Sequence, residues 1–222
     1  MRLAIIQDDP NELLALRTSN TEMSLTFLSK ASPVQDGETL GFIFSCDLSD
    51  TGWLEILKAH AEQGRPILGM GLGAKYLAEH GFVPGIANDA VGIRCQDGIG
   101  EQTAKHIRLS AEYQRNAYTH NLSPKSIYAL GLKPELSFDI PPGLLAEMTM
   151  QGLNWMTYCD AVGQPELGLA AIAAVTNKAG NILAMIPNLV DTTLGTVILH
   201  SMQRYITSGE AGQVAPLHYL PR

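Results

Sequence analysis

The chain has 222 residues, of which 45% are hydrophobic and 17% are charged, enough apolar material for the core of one domain. With 22 acidic residues against 15 basic ones, its net charge of −7 and pI near 5.3 argue against a nucleic-acid or anionic-membrane surface. No run approaches the roughly 20 apolar residues that a membrane span requires, and three separated cysteines without metal-ligand spacing favour a reduced, cytoplasmic setting.

The first half of the chain predicts a βαβ unit. Residues 3–6 are apolar without alternation, which is typical of a strand buried on both faces of a parallel sheet, and residues 41–45 repeat the pattern. Apolar residues lie on one helical face within residues 51–63, so we predict a helix there, capped by Asp50 or Thr51. Another buried strand follows directly. This order favours a parallel sheet with right-handed crossovers.

Residues 64–77 predict a buried strand, a sharp glycine turn and a helix. This arrangement is typical of the nucleophile elbow, a strained turn that lifts one side chain into a pocket. Glycines on either side permit such a turn and allow a substrate to approach closely. Here the tip of the turn is Gly71, which has no side chain to present.

The middle of the chain predicts antiparallel structure beside the main sheet. The short β-like runs are residues 91–95, 106–109, 136–140 and 153–158. Residues 141–143, Pro-Pro-Gly, are the strongest turn signal in the sequence. Residues 110–124 fit either a helix or a loop.

The end of the chain predicts a hairpin, a helix and a tail. Strands at residues 169–176 and 181–187 are joined by the turn sequence Asn-Lys-Ala-Gly. Apolar residues recur at helical spacing within residues 193–206. Residues 207–222 are rich in Gly, Pro and small polar residues, so we expect one domain over residues 1–206 followed by a C-terminal tail.

Two blocks of the sequence resemble class I glutamine amidotransferases, most closely the glutaminase component of phosphoribosylformylglycinamidine (FGAM) synthase from purine biosynthesis. That family's elbow reads approximately Gly-Lys-Pro-Val-Leu-Gly-Ile-Cys-Asn-Gly, and residues 64–73 read Gly-Arg-Pro-Ile-Leu-Gly-Met-Gly-Leu-Gly. The family's closing hairpin, Ile-Ala-Gly-Ile-X-Asn-X-X-Gly-Asn-Val-Leu-Gly-Met-Met-Pro-His-Pro-Glu, is similar to residues 172–190. The resemblance implies a flavodoxin-like α/β fold, with a mostly parallel central sheet flanked by helices and an added antiparallel β segment.

The departures from the family pattern fall where the resemblance places the chemistry. A glutaminase needs a thiolate nucleophile, a histidine that transfers the proton, and a carboxylate that orients this histidine. Those three positions are Gly71, Asn188 and Val190, none of which can perform these roles. Residues 45–47, Ser-Cys-Asp, replace an oxyanion-stabilising Pro-Gly-Gly turn, and no His-Gly-Glu-Gly segment precedes the last strands. The resemblance therefore implies a degenerate glutaminase with no catalytic residues in the triad.

The former glutamine pocket is the candidate ligand site, and we assign Gly69, Gly71, Leu72 and Cys46 to it. Backbone N–H groups at a helix N-terminus suit a carboxylate or another anion, although the glycines also have the simpler role of keeping the turn tight. Cys46 follows a strand, where α/β sheets place their ligand crevice. No base lies near it in the sequence, so a buried thiol is favoured over a reactive one. No metal site and no cofactor are predicted.

Three functions remain open from the sequence. The first is a non-catalytic amidotransferase-like subunit that docks onto the synthetase subunit of FGAM synthase and supports or regulates it. The second is a working glutaminase whose chemistry has moved, for example to Cys46, and which supplies ammonia. The third is a small-molecule sensor that uses the former glutamine pocket. Self-association as a homo-oligomer is left open.

Overall fold

The computed structural model describes residues 2–8, 24–31, 33, 37–49, 52–85, 94–97, 106–110, 116–119, 121–122, 126–129, 136–166, 171–187 and 193–208. Their strands are β1 (Arg2–Gln7), β2 (Ser24–Ser29), β3 (Thr39–Phe44), β4 (Ile67–Met70), β5 (Arg94–Asp97), β6 (His106–Leu109), β7 (Ile127–Ala129), β8 (Leu136–Asp139), β9 (Asn154–Cys159), β10 (Ile172–Thr176) and β11 (Ile182–Met185). Their helices are α1 (Trp53–Glu62), α2 (Leu72–Glu79), α3 (Pro142–Met150) and α4 (Thr193–Thr207).

One nine-stranded sheet organises the described residues, in the order β2-β1-β3-β4-β11-β10-β9-β6-β7. Every neighbouring pair from β2 to β11 is parallel, and these five strands follow the flavodoxin-like order. Beyond β11 every pair is antiparallel, and β5 pairs with β8 in a separate antiparallel ribbon. The predicted α/β fold, with a parallel central sheet and an added antiparallel segment, is confirmed.

The parallel strands are apolar throughout because both faces of the sheet are covered. Along β1, Leu3 and Ile5 belong to the core on the side of α4, whereas Ala4 and Ile6 belong to the core on the side of α1 and α2. Successive side chains of a strand point to opposite faces, so each face requires its own apolar residues. The apolar run that predicted this strand is unbroken because its residues alternate between the cores on the two faces of the sheet.

Three elements differ from the sequence prediction. The strands β2 and β7 were not predicted, and α3 begins where the Pro-Pro-Gly sequence predicted only a turn. Pro141 is the N-cap residue of α3 and Pro142 is its first helical residue, a position that tolerates proline because its missing N–H has no intrahelical partner. The N-cap of α1 is Gly52, with φ +77°, so the predicted cap at Asp50 or Thr51 is wrong.

Several predictions concern residues that the structure does not describe. Residues 91–93 and 169–170 of two predicted strands, and residues 209–222 of the predicted tail, lie outside the described ranges. The boundary between a domain of residues 1–206 and a tail therefore stays a prediction. Among the described helices, none has the length and apolar character that crossing a membrane requires.

Candidate functional site

The turn at Gly71 lies at the carboxyl end of β4 and leads directly into α2. Gly71 is the N-cap residue of this helix, with φ +53° and ψ −116°. Its N–H donates to the carbonyl oxygen of Met185 in the neighbouring strand β11, at 3.0 Å, and its own carbonyl accepts from the Lys75 N–H at 3.1 Å. The turn is thus held from the sheet on one side and from the helix on the other.

Three glycines surround this turn, and they are present for different reasons. A Cβ atom on Gly69 would lie 2.5 Å from the carbonyl oxygen of Gly73, and one on Gly73 would lie 2.5 Å from the carbonyl oxygen of Phe44. Both obstacles are backbone atoms, so neither position accepts a side chain without moving a strand or the helix. These two glycines let α2 approach the sheet closely.

Gly71 itself is under no such packing constraint. Among the residues that the structure describes, none beyond its chain neighbours would have a heavy atom within 4 Å of a Cβ atom added there. The positive φ opposes a side chain at this position, at a cost of about 1–3 kcal/mol. The turn therefore has the backbone shape and the free space for a projecting side chain, and the sequence supplies none.

The other residues assigned to the ligand site differ in accessibility. Leu72, the first residue of α2, is 48% exposed. Cys46, which follows the adjacent strand β3, is only 4% exposed, and its Sγ lies 3.9 Å from the carbonyl oxygen of Ile6. The Gly73 N–H donates to the carbonyl of Ser45 at 3.3 Å, which brings the end of β3 against the start of α2. Cys46 is buried, as its sequence context predicts.

Three charged groups at this edge of the sheet, those of Lys30, Asp8 and Asp47, bond to neighbouring residues. The Lys30 ammonium, just after β2, lies 2.5 Å from the Asp8 carboxylate, and this hydrogen bond is the main cause that raises the pKa of Lys30. Asp47 accepts hydrogen bonds from the backbone N–H and the hydroxyl of Ser49. These bonds, with a smaller contribution from nearby Lys75 and His80, lower the pKa of Asp47. Sequence reasoning missed the Lys30 contact because β2 itself was not predicted.

The two remaining triad positions, Asn188 and Val190, lie outside the described residues. The strand that leads to them is described: Met185 of β11 pairs in parallel with Met70 of β4. The chain therefore leaves β11 at the same edge of the sheet as the Gly71 turn. That Asn188 and Val190 occupy the histidine and carboxylate positions of the triad stays a prediction from the sequence.

The rest of the described chain adds no group of metal ligands. Within the ranges that the structure covers, no three His, Cys, Asp or Glu side chains come together in a way that would hold a metal ion. Cys159 is buried in β9, and burial is the main cause that raises the pKa of its thiol. It is therefore a core residue rather than a nucleophile.

Known proteins similar to this chain were found by sequence and by structure. No family model matches. The PurQ subunit of phosphoribosylformylglycinamidine synthase from Aquifex aeolicus is 26% identical over 135 residues, which cover 58% of this chain and 56% of that protein. The chain thus matches just over half the length of this curated relative.

Solved structures match over nearly the whole chain. A structure of PurLQS from Thermotoga maritima has a TM-score of 0.64 at 14% identity and covers 92% of this chain and 98% of that chain. A glutamine amidotransferase from Methylobacillus flagellatus has a TM-score of 0.55 at 12% identity, covering 99% of this chain and 98% of that chain. At such identities these two structures show a shared fold and nothing further.

Proposed function

From its relationship to the PurQ glutaminase subunit, among the class I glutamine amidotransferases, we propose that this chain is a non-hydrolysing member of that group. In this proposal it is a structural or regulatory subunit associated with FGAM synthase in purine biosynthesis. The scaffold of a glutaminase is kept, and the residues that would attack glutamine are replaced.

One observation carries the proposal: the turn that presents the nucleophile in the related enzymes ends here in Gly71. The backbone at this residue has φ +53° and ψ −116°, and a Cβ atom built on it would have no heavy atom of the other described residues within 4 Å apart from its chain neighbours. The adjacent Gly69 and Gly73 are fixed by backbone contacts, as the same close packing of strand and helix requires. This combination supports a nucleophile elbow that has lost its nucleophile while keeping its shape.

Loss of the whole triad would remove most of the rate enhancement. Without a thiolate there is no acyl-enzyme intermediate, and asparagine at position 188 cannot shuttle a proton near neutral pH. Triad removal in a comparable hydrolytic site costs about 10⁶-fold in kcat. We therefore expect no measurable ammonia release from glutamine by this chain.

The proposed partner is a synthetase subunit that makes FGAM from its formylglycinamide precursor with ATP. Support comes from the structural match to a chain of PurLQS from Thermotoga maritima, which extends over 98% of that chain. The synthetase would receive free ammonia or rely on another glutaminase, and this chain would hold or regulate it.

Affinity capture tests the partnership. The full chain, tagged at its N-terminus, would be incubated with the purified synthetase of the same organism and captured. Co-elution at micromolar concentration is expected. The variant Met150→Ser, at the end of α3, serves as a folded control because Met150 is 78% exposed. No retention of the synthetase at that concentration would contradict the proposal.

Relocated catalysis is the less favoured enzyme hypothesis, because the thiol of Cys46 is almost completely buried. A substrate carbonyl cannot reach a nucleophile that lies against the backbone of β1 without rearrangement of the sheet edge. Glutamine hydrolysis that disappears in a Cys46→Ala variant would establish relocated chemistry and overturn the proposal.

A ligand-binding role for the same site is the second candidate function, favoured by the free space at Gly71. The first turn of α2 points backbone N–H groups to this edge of the sheet, which suits a carboxylate. A thermal-shift series with glutamine, glutamate and nucleotides tests it: a ligand that binds the folded state raises Tm with concentration. No shift at millimolar concentrations would eliminate the sensor.

A further inference from the structure

The Asn-X-X-X-Asn sequence of the closing hairpin has no role in the triad, yet its two side chains form a network of five hydrogen bonds. Asn177 begins the turn between β10 and β11, and Asn181 ends it. Asn181 is 1% exposed. A buried amide must find partners for its donors and acceptors, or its burial costs free energy.

Within the turn, the two asparagines bond to each other. The Asn177 Oδ1 accepts from the backbone N–H groups of Asn181 and Ile182, at 3.1 and 3.0 Å. The Asn177 Nδ2 donates to the Asn181 Oδ1 at 2.9 Å. These bonds fix the side chain of Asn181 and leave both hydrogens of its Nδ2 free to act outside the hairpin.

Outside the hairpin, Asn181 joins the hairpin to the α1–β4 junction. Its Nδ2 donates to the carbonyl oxygens of Ala61 and Arg65, at 3.0 and 3.1 Å. Ala61 lies in the last turn of α1, and its carbonyl oxygen also accepts the N–H of Gly64 at 3.0 Å. The backbone carbonyl of Asn181 also accepts the N–H of Ile67, the first residue of β4, at 2.9 Å.

The buried tyrosine Tyr118 completes the same junction. Its hydroxyl lies 2.8 Å from the carbonyl oxygen of Asn181 and 2.7 Å from that of Ile67. Burial is the main cause that raises its pKa well above the ordinary range, so it stays a donor. The beginning of β4 and the beginning of β11 are thus held together by one hydroxyl and one amide.

The pairing register of β4 and β11 determines which residues lie side by side at the carboxyl ends of these strands. Ile67 pairs with Ile182, and three rungs later Met70 pairs with Met185, where the N–H of Gly71 bonds to the Met185 carbonyl. A strand rises about 3.3 Å per residue, so Asn181 acts on the turn from about 13 Å away. A shift of this register by one residue would also turn the side chains of the shifted strand to the opposite face of the sheet.

We propose that Asn181 is a positioning residue that sets the Gly71 turn against the end of β11 from the opposite edge of the sheet. This role of Asn181 rests on the proposed function only because it takes the Gly71 turn to be the functional site. A glutamine assay decides that function, whereas amide exchange decides this role, so the two fail separately.

Hydrogen exchange of the full chain tests the proposal, with the Gly71 amide compared with the Ile5 amide in β1. Asn181→Asp keeps the acceptor for Asn177 but loses both donors, and Asn181→Ala loses all side-chain bonds. Losing two buried hydrogen bonds at the start of β4 should raise the Gly71-to-Ile5 exchange ratio about tenfold in both variants.

The matched control is Ser201→Ala in α4, which removes a buried hydroxyl that donates to the Val197 carbonyl and accepts from the Asn121 N–H. It should lower overall stability and leave the ratio unchanged. Should Asn181→Ala not fold, Asn181→Asp gives the same comparison. An unchanged Gly71-to-Ile5 ratio in the variants that fold would overturn the proposal.

Discussion

Replacing Gly69 and Gly71 by alanine, one at a time, separates a glycine that packing requires from a glycine that marks a missing side chain. A methyl group on Gly69 would meet the Gly73 carbonyl oxygen at 2.5 Å, its carbonyl carbon at 2.7 Å and the Leu77 Cδ1 at 2.7 Å. Two of these atoms are backbone, so relief requires α2 to move away from β4. We expect Gly69→Ala to cost about 3 kcal/mol or more, at the upper end of overpacking penalties.

The methyl group of Gly71→Ala meets no atom of the described residues beyond its chain neighbours, so its main penalty is the strain of a positive φ. Its expected cost is about 1–3 kcal/mol, below that of Gly69→Ala although both variants add the same methyl group. Urea unfolding followed by far-UV circular dichroism measures both free energies, with the m value checking that unfolding remains two-state. Equal destabilisation by the two variants, or a larger effect at Gly71, would refute the interpretation of the free space.

Three further predictions concern neighbouring groups. In a Cys95→Ser background, the thiol of a Gly71→Cys variant should react with Ellman's reagent in the folded protein. Cys46 and Cys159 are only 4% and 2% exposed, so their thiols should react only after unfolding. Protection of the Gly71→Cys thiol in the folded protein would contradict the geometry of the turn. Tyr118→Phe removes the hydroxyl bonded to the Ile67 and Asn181 carbonyls. The free energy of unfolding measured in urea should therefore fall by about 1–2 kcal/mol. An unchanged free energy of unfolding would show that these bonds contribute nothing to stability. Burial, with nearby Asp47 and Glu55, raises the pKa of Tyr76 from 10.0 to about 12. The phenol of Tyr76 therefore loses its proton at a lower pH in the unfolded chain than in the folded one. The free energy of unfolding should accordingly fall as the pH rises from 10 to 12. Tyr76→Phe should remove that part of the alkaline loss, and an identical pH profile in both proteins would count against the raised pKa.

The central fold was accessible from the sequence because its strands are buried on both faces. In a chain of this composition, an unbroken apolar run as short as that of β1 indicates a strand covered on both sides. The strand β2, with the sequence Ser-Leu-Thr-Phe-Leu-Ser, lies at the edge of the sheet and has exposed ends, so its apolar residues give a weak signal. The helix α3 was hidden because prolines at its start indicate a turn and a helix N-terminus equally well.

The candidate site was only partly accessible from the sequence. The motif placed Gly71 at the tip of a turn, which the structure describes at the carboxyl end of β4. Sequence alone cannot tell that Gly69 and Gly73 exclude a side chain whereas Gly71 does not, because the difference lies in backbone atoms of β3 and α2. The role of Asn181 was equally hidden, because its partners Ala61 and Arg65 are more than 100 residues away in the sequence.

Ammonia release from glutamine, measured with the purified chain alone and with saturating synthetase and ATP, tests whether this chain hydrolyses glutamine. A catalytically active PurQ from a related organism, assayed at the same concentration, provides the positive control. We expect a rate equal to that of buffer in both conditions, because Gly71 offers no nucleophile. Ammonia release above the buffer rate that depends on this chain would contradict it.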